Sequence, residues 1–334
     1  MAPDHDTTMS IKRWLPVLAV LASTAPLMAA ETPSPALLIV DKEGALAIVD
    51  PATRLVVAKI RTGDGPHEVE ASSDGRLAFV SNYGASSPGN SISVIDLVAQ
   101  KELHRLDLGV LRRPHGMAFA GGKLYFTCET NKIVGRYDPA ANQIDWLLGT
   151  GLNGTHMVQL NKEMNQIYTA NIGSNAIGIF DRTGALDWSQ TIVPVGKGPE
   201  GFDVTPDGKE LWAAHSQDGG VSIINLFTKT VTHTFSVQTK RSNRLRFTPD
   251  GRLVLISDLN AGELVVLERE TRKVLKRMAL GKQLAGILVR PDGAVAYVAA
   301  TGDNNVAVVD LKTLDLVNRI SPGTGPDGMA WAVR

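Results

Sequence analysis

Short apolar segments alternate with Gly-, Asn- and Asp-rich turns along almost the whole chain after residue 35. The segments are rich in Val, Ile, Tyr and Phe, which are enriched in β-strands, and the residues between them favour tight turns. No stretch of useful length in this region shows the period of an amphipathic helix. The pattern therefore predicts an all-β domain made of many short strands.

The segments follow an internal repeat, whose clearest landmark is an Asp-Gly turn. The turn recurs at 74–75, 207–208, 250–251 and 292–293, with degenerate versions at 121–122 and around 163. Each turn is followed by one strand, then by a second strand that usually ends in Asp or a related residue, and then by a third. A repeat of roughly forty residues with several strands predicts the blades of a β-propeller.

The two ends of the repeat region are complementary fragments of one blade. Strands at 37–40 and 46–50 lack the inner strand that should precede them, whereas 326–333 resembles an inner strand with nothing after it. Pairing the two ends removes the exposed edges that an open ring would have. The sequence therefore predicts a seven-bladed β-propeller of four-stranded antiparallel blades, with the ring closed by a blade shared between the N- and C-termini. We expect a single domain over 31–334.

Several of these segments resemble the YVTN-repeat propellers, a family that includes the YncE-like bacterial proteins. The resemblance is carried by AFVSN at 78–82, by YTAN at 168–171, and by the Asp-Gly turn and the I-x-V-I-D strand that flank such segments. It covers nearly all of residues 35–334 and implies a seven-bladed propeller in a periplasmic or surface protein. Related propellers serve as lactonases, lyases, haem carriers and metal oxidases, so the resemblance leaves the activity open.

The first residues of the chain have the layout of an export signal. Basic residues at 12–13 precede the apolar stretch 14–27, and small residues follow at 29–30. This layout predicts a signal peptide over 1–30, with Met9 as an alternative start, and hence a periplasmic or secreted protein. An uncleaved membrane anchor is the alternative, although the apolar stretch is short for one. No later segment is apolar over the length of a bilayer, so we expect no membrane span after cleavage.

Composition narrows the choice of partners and cofactors. The chain has 34 Lys and Arg against 34 Asp and Glu, and this balance argues against a nucleic-acid partner, which requires a basic face. The single cysteine, Cys128, cannot form an internal disulfide, and the sequence lacks the C-x-x-C-H motif that attaches c-type haem. We expect a monomer that is stabilised by its apolar core and by ring closure.

The repeat also predicts which side chains meet at the centre of the ring. Inner strands line the central channel of a propeller, and an equivalent position follows the first residue of each inner strand. This first ring consists of His67, His115, His156, Glu200, Asn243, Ala285 and Asp327. The ends of the following strands predict a second polar ring at the same mouth. Its members are Asp41, Asn82, Glu129, Asn171, His215, Asp258 and Ala300.

One interpretation of these rings is a metal centre. Imidazoles from three successive blades, with a carboxylate from the fourth, could converge on one ion, and this donor set suits Zn, Fe or Cu. The predicted ligands are His67, His115, His156 and Glu200. Such an ion should be released at about pH 6 to 7, where unshifted imidazoles become protonated.

A second interpretation is a polar funnel that binds an organic ligand or a protein partner. The predicted contacts are Glu129, Asn171, His215, Asn243, Arg244, Asp258 and Asp327. Arg244 stands where several other blades carry glycine, so its guanidinium could bind a carboxylate or phosphate. The alternative for this arginine is a salt bridge to Asp258 or Asp203.

A third interpretation is purely structural. Side chains alternate along an ideal strand, so His67, Val69 and Ala71 would share one face, and the ring residues would then lie between blades. The sequence thus leaves two functional hypotheses open. One is a periplasmic or secreted protein that binds a small polar ligand or a protein partner at its funnel face, and the other is a metal-dependent lyase, hydrolase or oxidase. The sequence identifies no substrate and no catalytic residue.

Overall fold

The structure, a computed structural model, describes residues 1, 3, 30–185 and 187–334. The predicted signal peptide and its alternative start lie almost entirely outside the described residues. Within the described part of the chain, no helix is long and apolar enough to cross a membrane. Helical structure in these ranges is limited to the short 3₁₀ turns Ile172–Ser174 and Thr301–Asp303.

The strands form seven antiparallel sheets of four strands each. From the innermost strand outward, blade 1 holds β28 (Pro326–Ala332), β1 (Ala36–Asp41), β2 (Ala45–Val49) and β3 (Val56–Arg61), and blade 2 holds β4 (Pro66–Ala71), β5 (Leu77–Asn82), β6 (Ser91–Asp96) and β7 (Lys101–Asp107). Blade 3 holds β8 (Pro114–Ala120), β9 (Lys123–Cys128), β10 (Ile133–Asp138) and β11 (Gln143–Gly149), and blade 4 holds β12 (Thr155–Leu160), β13 (Gln166–Asn171), β14 (Ala176–Arg182) and β15 (Trp188–Pro194). Blade 5 holds β16 (Pro199–Val204), β17 (Glu210–His215), β18 (Gly220–Asn225) and β19 (Thr230–Ser236), and blade 6 holds β20 (Ser242–Phe247), β21 (Leu253–Asp258), β22 (Glu263–Glu268) and β23 (Val274–Ala279). Blade 7 holds β24 (Leu284–Val289), β25 (Val295–Ala300), β26 (Asn305–Asp310) and β27 (Asp315–Ile320).

These seven sheets form the predicted seven-bladed β-propeller, and the shared blade is confirmed. In blade 1 the C-terminal strand β28 pairs antiparallel with β1, so that Leu37 lies opposite Trp331. β1 in turn pairs with β2. The closing blade therefore has the same strand order as the six continuous blades, although its strands come from both ends of the chain.

The apolar core is divided among the interfaces between blades. Each of seven buried clusters in the described residues combines side chains from two neighbouring blades. The cluster that closes the ring joins Leu37 and Ile39 of blade 1 to Tyr297 and Val308 of blade 7, and Trp331 packs against it. The ring therefore closes by the same apolar burial that joins the other blades.

Each of the seven inner strands has a register irregularity directly after its first residue. In blade 2, Pro66 lies opposite Asn82, but the next aligned pair is Val69 with Val80. A bulge of this kind adds a residue to one strand and interrupts the regular alternation of side chains. The second residue of an inner strand therefore need not share a face with the fourth, and it can face the central cavity.

Neighbouring inner strands approach closely at their third residue. A Cβ atom added to Gly201 of β16 would lie 2.5 Å from Cα of Arg244 in β20. A Cβ atom added to Gly116 of β8 would lie 2.6 Å from Cα of Met157 in β12. Glycine therefore permits a close backbone contact that a larger residue would prevent.

Candidate ligand site in the funnel

A cavity of about 440 Å³ lies where the inner strands begin. It is lined by the complete first ring, which consists of His67, His115, His156, Glu200, Asn243, Ala285 and Asp327. All seven blades therefore contribute a side chain to one cavity. The bulges explain this arrangement, because in an unbroken strand these side chains would share a face with core residues such as Val69.

A second set of lining residues lies one position later in the repeat than the sequence analysis predicts. These residues directly follow the second strand of a blade, and they are Lys42, Tyr83, Glu129, Ile172, Leu259 and Thr301. Of these, the sequence predicts only Glu129. The hairpin of blade 3 is two residues shorter than that of blade 2, since Pro114 lies opposite Cys128 where Pro66 lies opposite Asn82. Cys128 is thus the true counterpart of Asn82.

Three predicted contacts, Asn171, His215 and Asp258, do not line the cavity, and the prediction is corrected there. Asp258 is fully buried and accepts hydrogen bonds from the backbone N–H groups of Lys240 and Arg241 at 2.6 and 3.0 Å. Asn171 and His215 are also buried and bond to nearby strand and turn groups. These side chains satisfy buried polar groups near the connections between blades, which is a structural role.

The only cysteine is not part of the cavity. Cys128 is buried in the apolar cluster between blades 2 and 3. Burial raises the pKa of its thiol to about 12, so the thiol stays protonated at neutral pH and is a poor nucleophile.

Histidines form one wall of the cavity. The rings of His115 and His156 stack with centroids 3.7 Å apart, and His67 meets His115 edge-on at 5.2 Å. Tyr83 extends this wall by stacking on His67, with a centroid distance of 4.6 Å.

The stacking does not provide a metal-binding geometry. The lone pair of an imidazole lies in the ring plane, so two stacked rings do not direct their nitrogens at one point. Among the described residues, no group of three or more His, Cys, Asp or Glu side chains is arranged to hold a metal ion. The metal site therefore stays a prediction, without a matching arrangement of donors.

A chain of hydrogen bonds fixes the orientation of His156. Nδ1 of His156 bonds Oε1 of Glu129, and Oε2 of Glu129 accepts a hydrogen bond from the Tyr83 hydroxyl at 2.7 Å. Arg113 donates to the same hydroxyl at 2.7 Å. Burial acts to raise the pKa of Glu129, but the hydrogen bonds to its carboxylate and the charge of Arg113 hold that pKa below its ordinary value. Glu129 is therefore ionised at neutral pH and accepts a hydrogen bond from Nδ1 of His156.

An ion pair across the channel forms the floor of the cavity. Arg244 of blade 6 donates to Glu68 of blade 2, on the other side of the ring. Arg244 lines the funnel cavity, whereas Glu68 lines a separate cavity of about 90 Å³ deeper in the channel. Burial acts to lower the pKa of Arg244, but the carboxylate of Glu68 and others nearby raise it above its ordinary value.

This pairing corrects the expected role of Arg244. The guanidinium bonds Glu68 and the oxygens of Asn243, and in the described chain it does not pair with Asp258 or Asp203. Its charge is therefore already neutralised by a buried partner. A ligand anion gains less from such a guanidinium than from an unpaired one.

Burial keeps two of the histidines neutral. It lowers the pKa of His67 to about 4, although the nearby carboxylate of Asp327, with Oδ2 3.6 Å from Nδ1, acts in the opposite direction. It also places the pKa of His115 well below its ordinary value. These two imidazoles are therefore uncharged at about pH 6 to 7, and the expected loss of binding there cannot arise from their protonation.

Further charged groups line the rest of the cavity. Glu200 accepts a hydrogen bond from Nδ2 of Asn243 at 2.5 Å and lies 3.8 Å from the guanidinium of Arg241. The ammonium of Lys42 pairs with Asp327 at 3.0 Å. The cavity therefore combines aromatic rings with charges of both signs.

Two imidazole nitrogens of the cavity residues are buried without a hydrogen-bond partner in the described part of the chain. They are Nδ1 of His115 and Nε2 of His156, and these residues are only 2% and 7% exposed. Buried polar atoms are nearly always bonded in folded proteins, and an unbonded one costs about 1–3 kcal/mol. The two atoms therefore retain an unused hydrogen-bonding capacity at the histidine wall of the cavity.

No protein-family model matches this chain, and no curated protein matches it. Several solved structures share its fold. A chain of hydrazine synthase from Kuenenia stuttgartiensis is 22% identical with a TM-score of 0.68, and the match covers 80% of this chain and 89% of that chain. A putative 6-phosphogluconolactonase from Bacteroides uniformis is 14% identical with a TM-score of 0.73, over 90% of this chain and 99% of that chain.

A third similar structure is the β-propeller domain of Cps50 (Swd1) from Myceliophteria thermophila, which is 14% identical with a TM-score of 0.64. That match covers 78% of this chain and 88% of that chain. At these identities the similarity shows the propeller fold alone, and unrelated activities occur on one fold. The function of this propeller must therefore be argued from its own cavity.

Proposed function

We propose that this propeller binds a small polar organic ligand in the funnel cavity. The observation that carries the proposal is a cavity lined by every blade, in which two lining residues, His115 and His156, each have an imidazole nitrogen without a hydrogen-bond partner among the described residues. A ligand that bonds these atoms removes the cost of leaving buried polar groups unsatisfied.

The size and closure of the cavity favour a small molecule over a protein partner. Its volume of about 440 Å³ lies in the range of small-molecule sites. The ion pair between Arg244 and Glu68 separates it from the deeper channel, so a ligand enters from the funnel mouth. The lining offers both aromatic faces and charges of either sign, which suits a compact polar molecule.

We also propose that the protein is an exported member of the YVTN-repeat propellers, similar to the YncE-like proteins. The segments at 78–82 and 168–171 support the family, and the residue pattern of 1–30 supports a periplasmic or secreted location. A binding protein in that location would meet small solutes that have entered from the medium.

Isothermal titration calorimetry of the mature chain against a panel of polar metabolites tests the binding proposal. We expect one compound class to bind with one site per chain. A His67→Ala/His115→Ala double variant should bind at least about tenfold more weakly, because it removes one wall of the cavity. It should keep its fold, because strand pairing uses backbone groups. His233→Ala, on the exposed outer strand β19, is the matched control.

Elemental analysis of the purified protein separates the metal hypothesis from this one. Stoichiometric Zn, Fe or Cu that the double variant loses would support a metal centre and contradict the proposal. A double variant that binds the same compounds normally but unfolds at a lower temperature would also contradict it, since that result indicates purely structural histidines.

A further inference from the structure

We infer that the ligand carries a primary ammonium group adjacent to a carboxylate, as an α-amino acid does. The inference rests on the proposed binding function and names the class of ligand for the same cavity. It depends on three neighbouring groups: Nε2 of His156, the carboxylate of Glu200 and the guanidinium of Arg241.

The hydrogen bond to Glu129 decides what His156 offers a ligand. A carboxylate only accepts hydrogen bonds, so Nδ1 of His156 carries the hydrogen in its contact with Oε1 of Glu129. In the neutral imidazole, Nε2 then carries the lone pair and is an acceptor. An imidazole ring with one hydrogen therefore offers its Nε2 as an acceptor to a ligand group that donates a hydrogen bond.

A second acceptor lies close to the first. Oε1 of Glu200 is 4.0 Å from Nε2 of His156, too far for a direct hydrogen bond. If one donor atom lies about 2.9 Å from each acceptor, the angle between its two hydrogen bonds is about 90°. A primary ammonium has several hydrogens in a suitable tetrahedral arrangement, whereas a hydroxyl has one and can satisfy only one acceptor.

The charge of Glu200 strengthens this preference. Glu200 is 5% exposed, and its Oε1 already accepts one hydrogen bond from Asn243. A cationic donor forms a charge-assisted bond to such a carboxylate, which is stronger than a neutral one. An ammonium group is therefore favoured over the amide or water that could otherwise donate two hydrogens.

Arg241 supplies a site for the carboxylate of the ligand. Its guanidinium lies 3.8 Å from Oε2 of Glu200, its side chain is 47% exposed, and within the described residues it forms no side-chain hydrogen bond. The other cations of the cavity, Lys42 and Arg244, form closer ion pairs with Asp327 and Glu68 than Arg241 forms with Glu200. One carbon separates the amine and the carboxyl group of an α-amino acid, so adjacent acceptor and guanidinium groups match it.

Calorimetric titration of the mature chain with matched compounds tests the inference. The probes are the common L-amino acids, the 2-hydroxy acids with the same side chains, and the amines that lack the carboxylate. We expect at least one amino acid to bind, and its hydroxy acid and amine counterparts to bind at least about tenfold more weakly. Arg241→Met should weaken amino-acid binding by about tenfold without weakening amine binding, because it removes a cation that competes for Glu200, whereas Glu200→Gln should weaken both.

His233→Gln is the control for the substitutions, and circular dichroism verifies the fold of each variant. Equal binding of hydroxy acids and amino acids overturns the inference and leaves the proposed function intact, as does binding of sugars or other polar compounds alone. Amino-acid binding that Arg241→Met does not change also overturns it. If none of the polar compounds binds, both the inference and the proposed function fail.

Discussion

At the scale of single residues, the buried imidazoles make folding sensitive to acid. Between about pH 4 and its ordinary pKa of 6.5, His67 binds fewer protons in the folded chain than in the unfolded chain. The stability that His67 contributes by staying neutral is therefore fully present above pH 6.5, the pKa of the unfolded imidazole. It is lost as the pH falls from there to about 4. The pKa values of the Glu129 and Asp327 carboxylates are also lowered, so acid reduces stability through them too. Their effect begins only below the pKa of unfolded carboxyl groups, about 4.

We predict that His67→Asn reduces the dependence of stability on pH. Between pH 7 and 4.5 the wild-type free energy of unfolding should fall by about 2–3 kcal/mol through His67 alone, because the lowered pKa corresponds to that cost. The variant should lose less over the same interval, while His233→Asn should behave as wild type. Urea unfolding at both pH values measures the difference, and equal slopes for wild type and His67→Asn would contradict the assignment.

At the scale of strands, the close approach of inner strands determines how the cavity is built. The glycine at the third position lets adjacent backbones meet, and this brings the second residues of neighbouring blades within stacking distance, as for His115 and His156. Where the third residue is Arg244, the side chain instead crosses the channel. The same repeat position therefore serves packing in some blades and closes the channel in another.

Gly201→Ala should destabilise the interface between blades 5 and 6. The new Cβ would lie 2.5 Å from Cα of Arg244, so the backbone must shift, at a cost of about 1–3 kcal/mol in the free energy of unfolding. Gly149→Ala at the end of β11 is the control, because apart from its chain neighbours no atom of the described residues lies within 4 Å of the added Cβ. Its effect should stay within about 0.5 kcal/mol. Chemical denaturation compares them, and equal effects would show that the contact does not constrain the strand.

The sequence predicts the starts of the inner strands and the members of the first ring correctly, because both follow the repeat. Every inner strand begins at the residue that the Asp-Gly alignment marks, from Pro66 to Pro326. The direction of the ring side chains was not accessible, since a bulge interrupts the alternation that sequence patterns rely on. The bulge cannot be predicted from the residue before it, because residues as different as Pro66, Thr155 and Leu284 all precede one.

The second set of cavity residues was missed for a related reason. The alignment identifies the last residue of each strand, such as Asp258, whose side chain turns back to the backbone of the preceding connection. The next residue, such as Tyr83, faces the cavity, and it varies too much in chemistry to form a recognisable ring. The link from His156 through Glu129 to Tyr83 depends on contacts between blades, which one sequence does not reveal.

At the scale of the whole molecule, closure of the ring depends on the last strand. β28 is the inner strand of blade 1 and contributes to two interfaces: Trp331 packs toward blade 7, whereas Ala330 and Ala332 belong to the cluster shared with blade 2. It also carries Asp327 into the cavity. The C-terminus is therefore part of both the core and the candidate site.

Deletion of residues 325–334 should yield an aggregating protein. The truncation removes β28, exposes apolar side chains of blades 1, 2 and 7, and leaves an unpaired strand edge on β1. Deletion of 333–334 alone, which follow β28, should remain soluble. Size-exclusion chromatography distinguishes these outcomes, and a monomeric 325–334 deletion with an unchanged melting temperature would contradict the shared blade.

The convergence of every blade on one cavity has a consequence for how the ring unfolds. Repeat proteins are ordinarily held together by contacts between nearest neighbours, so parts of them can open separately. A molecule in the funnel would touch blades that do not touch each other. At about a hundred times its dissociation constant it would favour the closed ring by about 2.7 kcal/mol, and detachment of one blade would forfeit that energy. A bound ligand would thus make the seven blades unfold together, as one cooperative unit.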